Sequence, residues 1–161
     1  MSITLSQANE MIAAIIKRGI EMDCRPMSVV VVDPGCIVKA FQKEDGASMM
    51  RFEMALGKAY AALALSRSSK LVRIRREEKP DFMRFLIAQS GDKLFPEGGG
   101  MQIRDKDGEV IGAVGVTGDT EDKDEELAVH GIHSVGLKTD DDVQHMGRKF
   151  RTRLTAGSDG R

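Results

Sequence analysis

Near the N-terminus, apolar residues recur with helical spacing: Leu5, Ala8, Ile12, Ile15, Ile16 and Gly19 share one stripe. Thr4 and Gln7 form a capping box ahead of it, with Ile3 in position to staple the entry. The pattern predicts a helix from about Ser6 to Asp23 that covers one face of a sheet. Ser28-Val29-Val30-Val31-Val32 is an unbroken apolar run, which predicts a strand buried on both faces. Asp33-Pro34-Gly35-Cys36 fits a type II turn, and Ile37 to Gln42 alternates as the return strand of a hairpin. Beyond the turn Glu44-Asp45-Gly46, a long helix is predicted over about Ser48 to Ser66. From Met54 to Ser66 its only charged residue is Lys58, so it should be buried on most sides.

The second half is more polar. Lys70 to Lys79 reads as a solvated helix or loop. Pro80 opens a short amphipathic segment that ends near Gly91. Gly98-Gly99-Gly100 leads into a strand beginning at Met101, a turn at Asp107-Gly108, and a second strand from Val110 to Thr117. Gly112 and Gly115 leave gaps on both faces of that strand. Glycines in such positions mark close approach of a backbone or a ligand, so a crowded sheet and a pocket floor are the alternatives. The pattern of a phosphate loop is absent, and the triplet precedes a strand rather than a helix. Asp119 to Glu126 is acidic, suited to a helix N-terminus capped by Asp119 or Thr120 and continuing to about Leu137. The cluster lacks calcium-loop spacing. The expected organisation is one domain over residues 1–138. A polar, partly disordered tail over 139–161 follows, helical as far as Phe150.

Composition narrows the function. The chain has 161 residues, and its net charge of −1 gives no general attraction to nucleic acid or anionic lipid. Tryptophan is absent and Tyr60 is the only tyrosine, so stacking platforms for single strands are scarce. No run is long enough to span a bilayer and no secretory signal is visible. Cys24 and Cys36 are isolated thiols, consistent with a cytoplasmic location. The ten methionines suit an adaptable core or pocket lining.

Lys58 is the first candidate for chemistry. A lysine on such a helix snorkels, joins a structural ion pair, or holds an anionic ligand. In the last case Lys58 binds a small carboxylic or keto acid. Glu97 would move a proton, and the N–H groups of Gly98, Gly99 and Gly100 would hold an oxyanion.

Five stretches in order carry a resemblance. They are Ser28 to Gly35, Met54-Ala55-Leu56-Gly57-Lys58-Ala59, Pro96-Glu97-Gly98-Gly99-Gly100, Gly112 to Gly118, and Asp124-Glu125-Glu126-Leu127-Ala128. Together, from about Ile3 to Leu137, the chain resembles the GlcG/HbpS family of haem-binding proteins. The same domain is found at the C-terminus of PduO-type adenosyltransferases. The resemblance implies an α/β (α+β) chain with a profilin-like three-layer fold: a five-stranded antiparallel sheet with helices on both faces, the terminal helices together on one side. It also implies a homo-oligomer, tetramer or larger, with haem or another tetrapyrrole or small molecule as ligand. Some members are linked to haem degradation, and many accompany enzymes of small-acid catabolism. The family has no uniform iron ligand. His130 and His133, three apart on one helix face, are candidate metal ligands outside the family motif. Cys36 stands where the family usually has glycine and adds a thiolate as an alternative. Three functions follow: a haem-binding protein, a small-acid enzyme at Lys58 and the glycine triplet, or an accessory subunit without chemistry.

Overall fold

A computed structural model describes residues 1–143 of the chain. The first helix, α1 (Leu5–Glu21), starts at the predicted box: the Thr4 hydroxyl accepts from the Gln7 N–H and the Gln7 side chain accepts from the Thr4 N–H, each at 3.1 Å. The elements that follow are β1 (Ser28–Val32), β2 (Val38–Lys43), α2 (Arg51–Leu65), α3 (Ser69–Glu78), α4 (Pro80–Gln89), β3 (Gly100–Arg104), β4 (Val110–Thr117) and α5 (Glu121–Ser134). A short 3-10 turn, Asp141–Val143, ends the described chain. Among the described residues no helix is long and apolar enough to cross a membrane.

The sheet is antiparallel throughout, in the order β2-β1-β4-β3. Among the described residues it therefore has four strands, where the family resemblance implied five. After α5 the chain does return to the free edge of β3, but only Lys138 pairs there, exchanging two 2.8 Å backbone bonds with Arg104. The next contact is made by a side chain: the Asp140 carboxylate accepts from Arg104 Nε and Gln102 Nε2, and the backbone turns away into the 3-10 turn. The helix expected to reach Phe150 does not continue through this segment. The rest of that helix and of the tail lies outside the described residues.

Helices cover both faces. Helices α1 and α5 share one, where Met11, Ile12, Ile15, Leu127 and Ile132 pack on Val29, Val31, Val114 and Val116. Helix α2 covers the other, with Ala55 and Ala59 against Val30, Val32 and Ala113. Helices α3 and α4 pack beside it around Ala61, Val72, Met83 and Leu94. Every residue of β1 is buried, as its unbroken apolar run required.

Two local expectations are corrected. The turn after β1 is not type II, because the positive φ falls on Cys36 (63°) and not on Gly35. The Asp33 carboxylate selects this geometry by accepting from the N–H groups of Gly35 and Ile37, each at 2.9 Å. Helix α2 begins at Arg51, since Ser48 to Met50 are used in a turn.

The glycines of the sheet prove to be contact points for backbone. Gly100 and Gly115 are paired across β3 and β4. A Cβ on Gly100 would lie 2.0 Å from the Lys58 carbonyl oxygen, and one on Gly115 would lie 2.0 Å from that of Ala55. Lys58 and Ala55 are one turn apart on α2, so the helix main chain rests on the sheet with no side chain between. Of the two alternatives read from the glycines, this is the crowded sheet.

Candidate functional site

Lys58 is buried, 2% exposed. Its Nζ donates to Asp124 Oδ2 and to the Val116 carbonyl oxygen, each at 3.0 Å. The other carboxylate oxygen of Asp124 accepts from the Asp119 N–H at 3.0 Å. Burial pushes the Asp124 carboxyl up, and the adjacent Lys58 ammonium opposes that shift. The glycine triplet closes over this pair: a Cβ on Gly99 would meet the Val116 carbonyl at 2.2 Å and the Lys58 side chain at 3.2 Å. An ammonium bonded on both sides by its own chain reaches a substrate carboxylate only if Asp124 withdraws.

Two of the three N–H groups in that expectation are also engaged. The Gly98 N–H donates to Glu121 Oε1 at 2.8 Å and the Gly100 N–H to Ser69 Oγ at 2.7 Å. Glu97 is half-buried next to the triplet, and its own N–H donates to the Phe95 carbonyl. The acidic cluster is likewise spoken for. Thr120 caps α5 by accepting from the Lys123 N–H, Glu121 pairs with Arg73 at 2.7 Å, and Lys70 bridges Asp122 and Glu125. Lys70 and Arg73 had read as solvated charges. Arg73 keeps one local partner, Glu77 at i+4 and 2.6 Å, but the partners on α5 lie about fifty positions further on, out of reach of any local pattern.

The histidines fall on the opposite face of the sheet from α2. His130 and His133 are both exposed on α5, and His133 Nε2 lies 2.7 Å from Asp142 Oδ2. Among the described residues no group of three or more His, Cys, Asp or Glu side chains is arranged to hold a metal ion.

A cleft of about 440 Å³ opens instead on the outer side of α2. One wall is the β1–β2 turn with Cys36 and Ile37. The second is α2 with Glu53, Leu56, Gly57 and Tyr60, and the third is the Asp92-Lys93 segment. Gly57 allows that third wall to form. The Phe95 N–H donates to the Gly57 carbonyl at 3.2 Å, and a Cβ on Gly57 would lie 2.7 Å from Phe95 Cβ. The size and largely apolar lining suit a small molecule or the edge of a flat cofactor. Burial pushes the Cys36 thiol up, the Asp33 carboxylate adds to this, and Lys93 opposes it. The free protein therefore presents Cys36 as a thiol at neutral pH. A resident haem would find a thiol and a phenol here, both side-chain types that hold haem iron, and one ammonium, Lys93, for a propionate, which would have to lie away from the Glu53 and Asp92 carboxylates. Sequence reasoning singled out Cys36 by its departure from glycine. It missed Tyr60 and Lys93, because nothing in helical spacing or charge distinguishes them from surface residues.

The arrangement of helices and sheet recurs in solved structures. Protein ORFY of Klebsiella pneumoniae superposes with a TM-score of 0.75 at 28% identity, over 83% of this chain and 90% of that one. A crystallised PduOC–haem complex superposes with a TM-score of 0.77 over 86% of this chain and 99% of that one, and at 21% identity this likeness concerns the fold alone. In sequence, an uncharacterised 15.0 kDa protein from the dhaT-dhaS intergenic region of Citrobacter freundii is 31% identical over 128 residues, 79% of this chain and 87% of that protein. Residues 3–133 match the family described as haem degrading protein HbpS-like, and the chain belongs to that family.

Proposed function

We propose that this protein binds haem in the cleft between the β1–β2 turn, α2 and the Asp92-Lys93 segment. The observation that carries the reading is a thiol and a phenol, Cys36 and Tyr60, beside the apolar Ile37 and Leu56 in a cleft whose charged residues are Glu53, Asp92 and Lys93, in a chain of a haem-degrading family. The haem complex of the structural relative PduOC supports it further. Cys36 or Tyr60 would hold the iron, and Lys93 would neutralise a propionate at the rim. The bound group supplies redox and ligand-binding chemistry at its iron. The chain contributes the ligand atom, the apolar walls that exclude water, and a fixed turn that aims Cys36 through the Asp33 hydrogen bonds. This reading uses neither His130 nor His133. It also leaves Lys58 and the Gly98–Gly100 loop as framework rather than as a site for a small acid.

Titration of the full chain with hemin tests it. A saturable Soret band is expected. Cys36→Gly, which keeps the turn geometry, is expected to shift that band or weaken affinity at least tenfold, with Tyr60→Phe as the second arm. His130→Ala and His133→Ala are expected to retain binding. Featureless absorbance, indifferent to both cleft substitutions, overturns the proposal.

The working unit we propose is a cytoplasmic homo-oligomer, a tetramer or larger, accessory to a catabolic pathway. Exposed Ile37, Met49, Phe82 and Phe85 offer apolar surface for such contacts. Sedimentation of the purified chain measures the state, and a monomer at micromolar concentration rejects it.

A further inference from the structure

We propose that Arg51, Ser28 and Thr117 form a binding site for a small oxyanion, a carboxylate or a phosphate, at the N-terminal end of α2. The site is separate from the cleft and does not depend on haem binding.

Strand alternation assembles it. Val30 and Val32 of β1 and Ala113 of β4 face α2, so Ser28 and Thr117 face the same way at the end of those strands. The two residues are direct partners across β1 and β4. That pairing holds their Cβ atoms about 5 Å apart. Ser28 is fully buried at 0% exposure, and its Oγ has no hydrogen-bond partner. Thr117 is 2% exposed and accepts from Arg51 Nη1 at 3.3 Å. Arg51 reaches in from the first position of α2. Its Nε is buried without a partner, and its other contact is a weak one to Met54 Sδ at 3.9 Å.

The unsatisfied groups have one character. A guanidinium only donates, and a serine hydroxyl whose oxygen is unpaired can donate as well. Buried donors without an acceptor are costly, and a charged donor most of all. Among the described residues no carboxylate pairs with Arg51. Glu53 shares the first turn of α2 but forms no ion pair with Arg51, while Glu44 accepts from the Met27 N–H at 2.6 Å, Asp119 from the Arg25 N–H at 2.9 Å, and Asp124 holds Lys58. Helix α2 also has no side-chain cap at its start, so its first N–H groups add to the positive potential, which Glu53 in the same turn partly offsets. Arg51 as a whole is half-buried, while its Nε and the Ser28 Oγ are covered, so an anion reaches them as the Arg51 side chain moves aside. The complement of these groups is a compact anion with several acceptor oxygens.

Thermal unfolding and calorimetry of the full chain test this, with sodium acetate and sodium phosphate titrated separately against chloride at constant ionic strength. The unfolding midpoint is expected to rise with at least one of the two anions, and the arm that saturates at lower concentration identifies carboxylate or phosphate as the preferred chemistry. Arg51→Gln, at a half-buried position, is expected to fold and to lose the effect. Ser28→Ala is expected to weaken affinity several-fold. Nitrogen-15 spectra supply a second readout, because the Arg51 Nε–H resonance should move during the titration. If neither anion exceeds chloride, or if Arg51→Gln responds as the native chain does, the proposal is wrong.

Discussion

Lys58 Nζ lies 3.0 Å from Asp124 Oδ2, with only 3% and 2% of the two side chains exposed. The pair ties the middle of α2 to the first turn of α5 through the end of β4, and so joins the two helical layers across the sheet. Its energetic signature is asymmetric. Removing one partner leaves an uncompensated buried charge, whereas replacing both removes the problem. Lys58→Met is therefore expected to cost about 3–5 kcal/mol in urea denaturation. The double variant Lys58→Met with Asp124→Leu is expected to recover most of that loss. Equal losses in single and double variants would show that the pair is not coupled.

The paired glycines give a second prediction. Gly100→Ala drives a methyl group into the Lys58 carbonyl and is expected to cost about 2–4 kcal/mol. Gly136 has φ 74° and nothing within 4 Å of an added Cβ, so Gly136→Ala should cost only the left-handed penalty, about 1 kcal/mol. A cost at Gly100 no larger than at Gly136 would mean that α2 moves aside readily and that the helix contact does not demand glycine there.

Cys36 carries backbone strain that a glycine would not. At φ 63°, Cys36→Gly is expected to stabilise the free protein by about 0.5–1 kcal/mol. A rise in unfolding midpoint with loss of the Soret band would separate the conformational cost of this residue from its use. A fall in midpoint would mean that the packing of the side chain outweighs the strain.

Ligation by Cys36, as proposed, would make haem affinity pH-dependent. Burial and Asp33 hold the thiol above its usual range, and ligation as thiolate releases that proton. Affinity should therefore rise with pH, approaching tenfold per unit below the thiol's own pKa. Cys36→Gly should flatten the profile. A native profile that is already flat would exclude both ligands, because the Tyr60 phenol, like the Cys36 thiol, gives up a proton when it binds iron.

Asp119 supplies an acid-side test. Its carboxylate accepts from the N–H groups of Arg25 and Thr120, at 2.9 and 2.7 Å, and these bonds hold its pKa below the ordinary value. A folded pKa below the unfolded one adds stability above the ordinary carboxylate range of about 3.9, and this is lost as pH falls through the folded value. Asp119→Asn is expected to cost roughly 1–3 kcal/mol near neutral pH, with the difference from native narrowing in acid. A constant difference across that range would assign the loss to packing.

Much of this fold can be read from local pattern. The capping box at Thr4 and Gln7, the buried run of β1, the bounds of β4 and the opening of α4 at Pro80 depend on neighbours in sequence, and each lies where the pattern required. What escaped reading depends on distance. Asp124 as the partner of Lys58, Glu121 as the acceptor for Gly98, and Lys70 and Arg73 as partners of α5 all connect positions dozens of residues apart. The strand count came from resemblance, and among the described residues the single Lys138 bridge stands where a fifth strand was expected. The cleft was hidden for a related reason. It is assembled from a turn, a helix face and a returning segment, and only Cys36 among its residues breaks a pattern.

The seating of α2 on Gly100 and Gly115 has a consequence for whatever enters from the other side. A helix spaced from its support by side chains can roll as those side chains change rotamer. One that touches the sheet through its own carbonyl oxygens has no such bearing, since its main chain meets unyielding main chain. Leu56, Gly57 and Tyr60 thus stand on a wall that does not give. A guest is sorted by whether its outline suits a preset shape, and discrimination between ligands of similar polarity becomes a matter of thickness and contour.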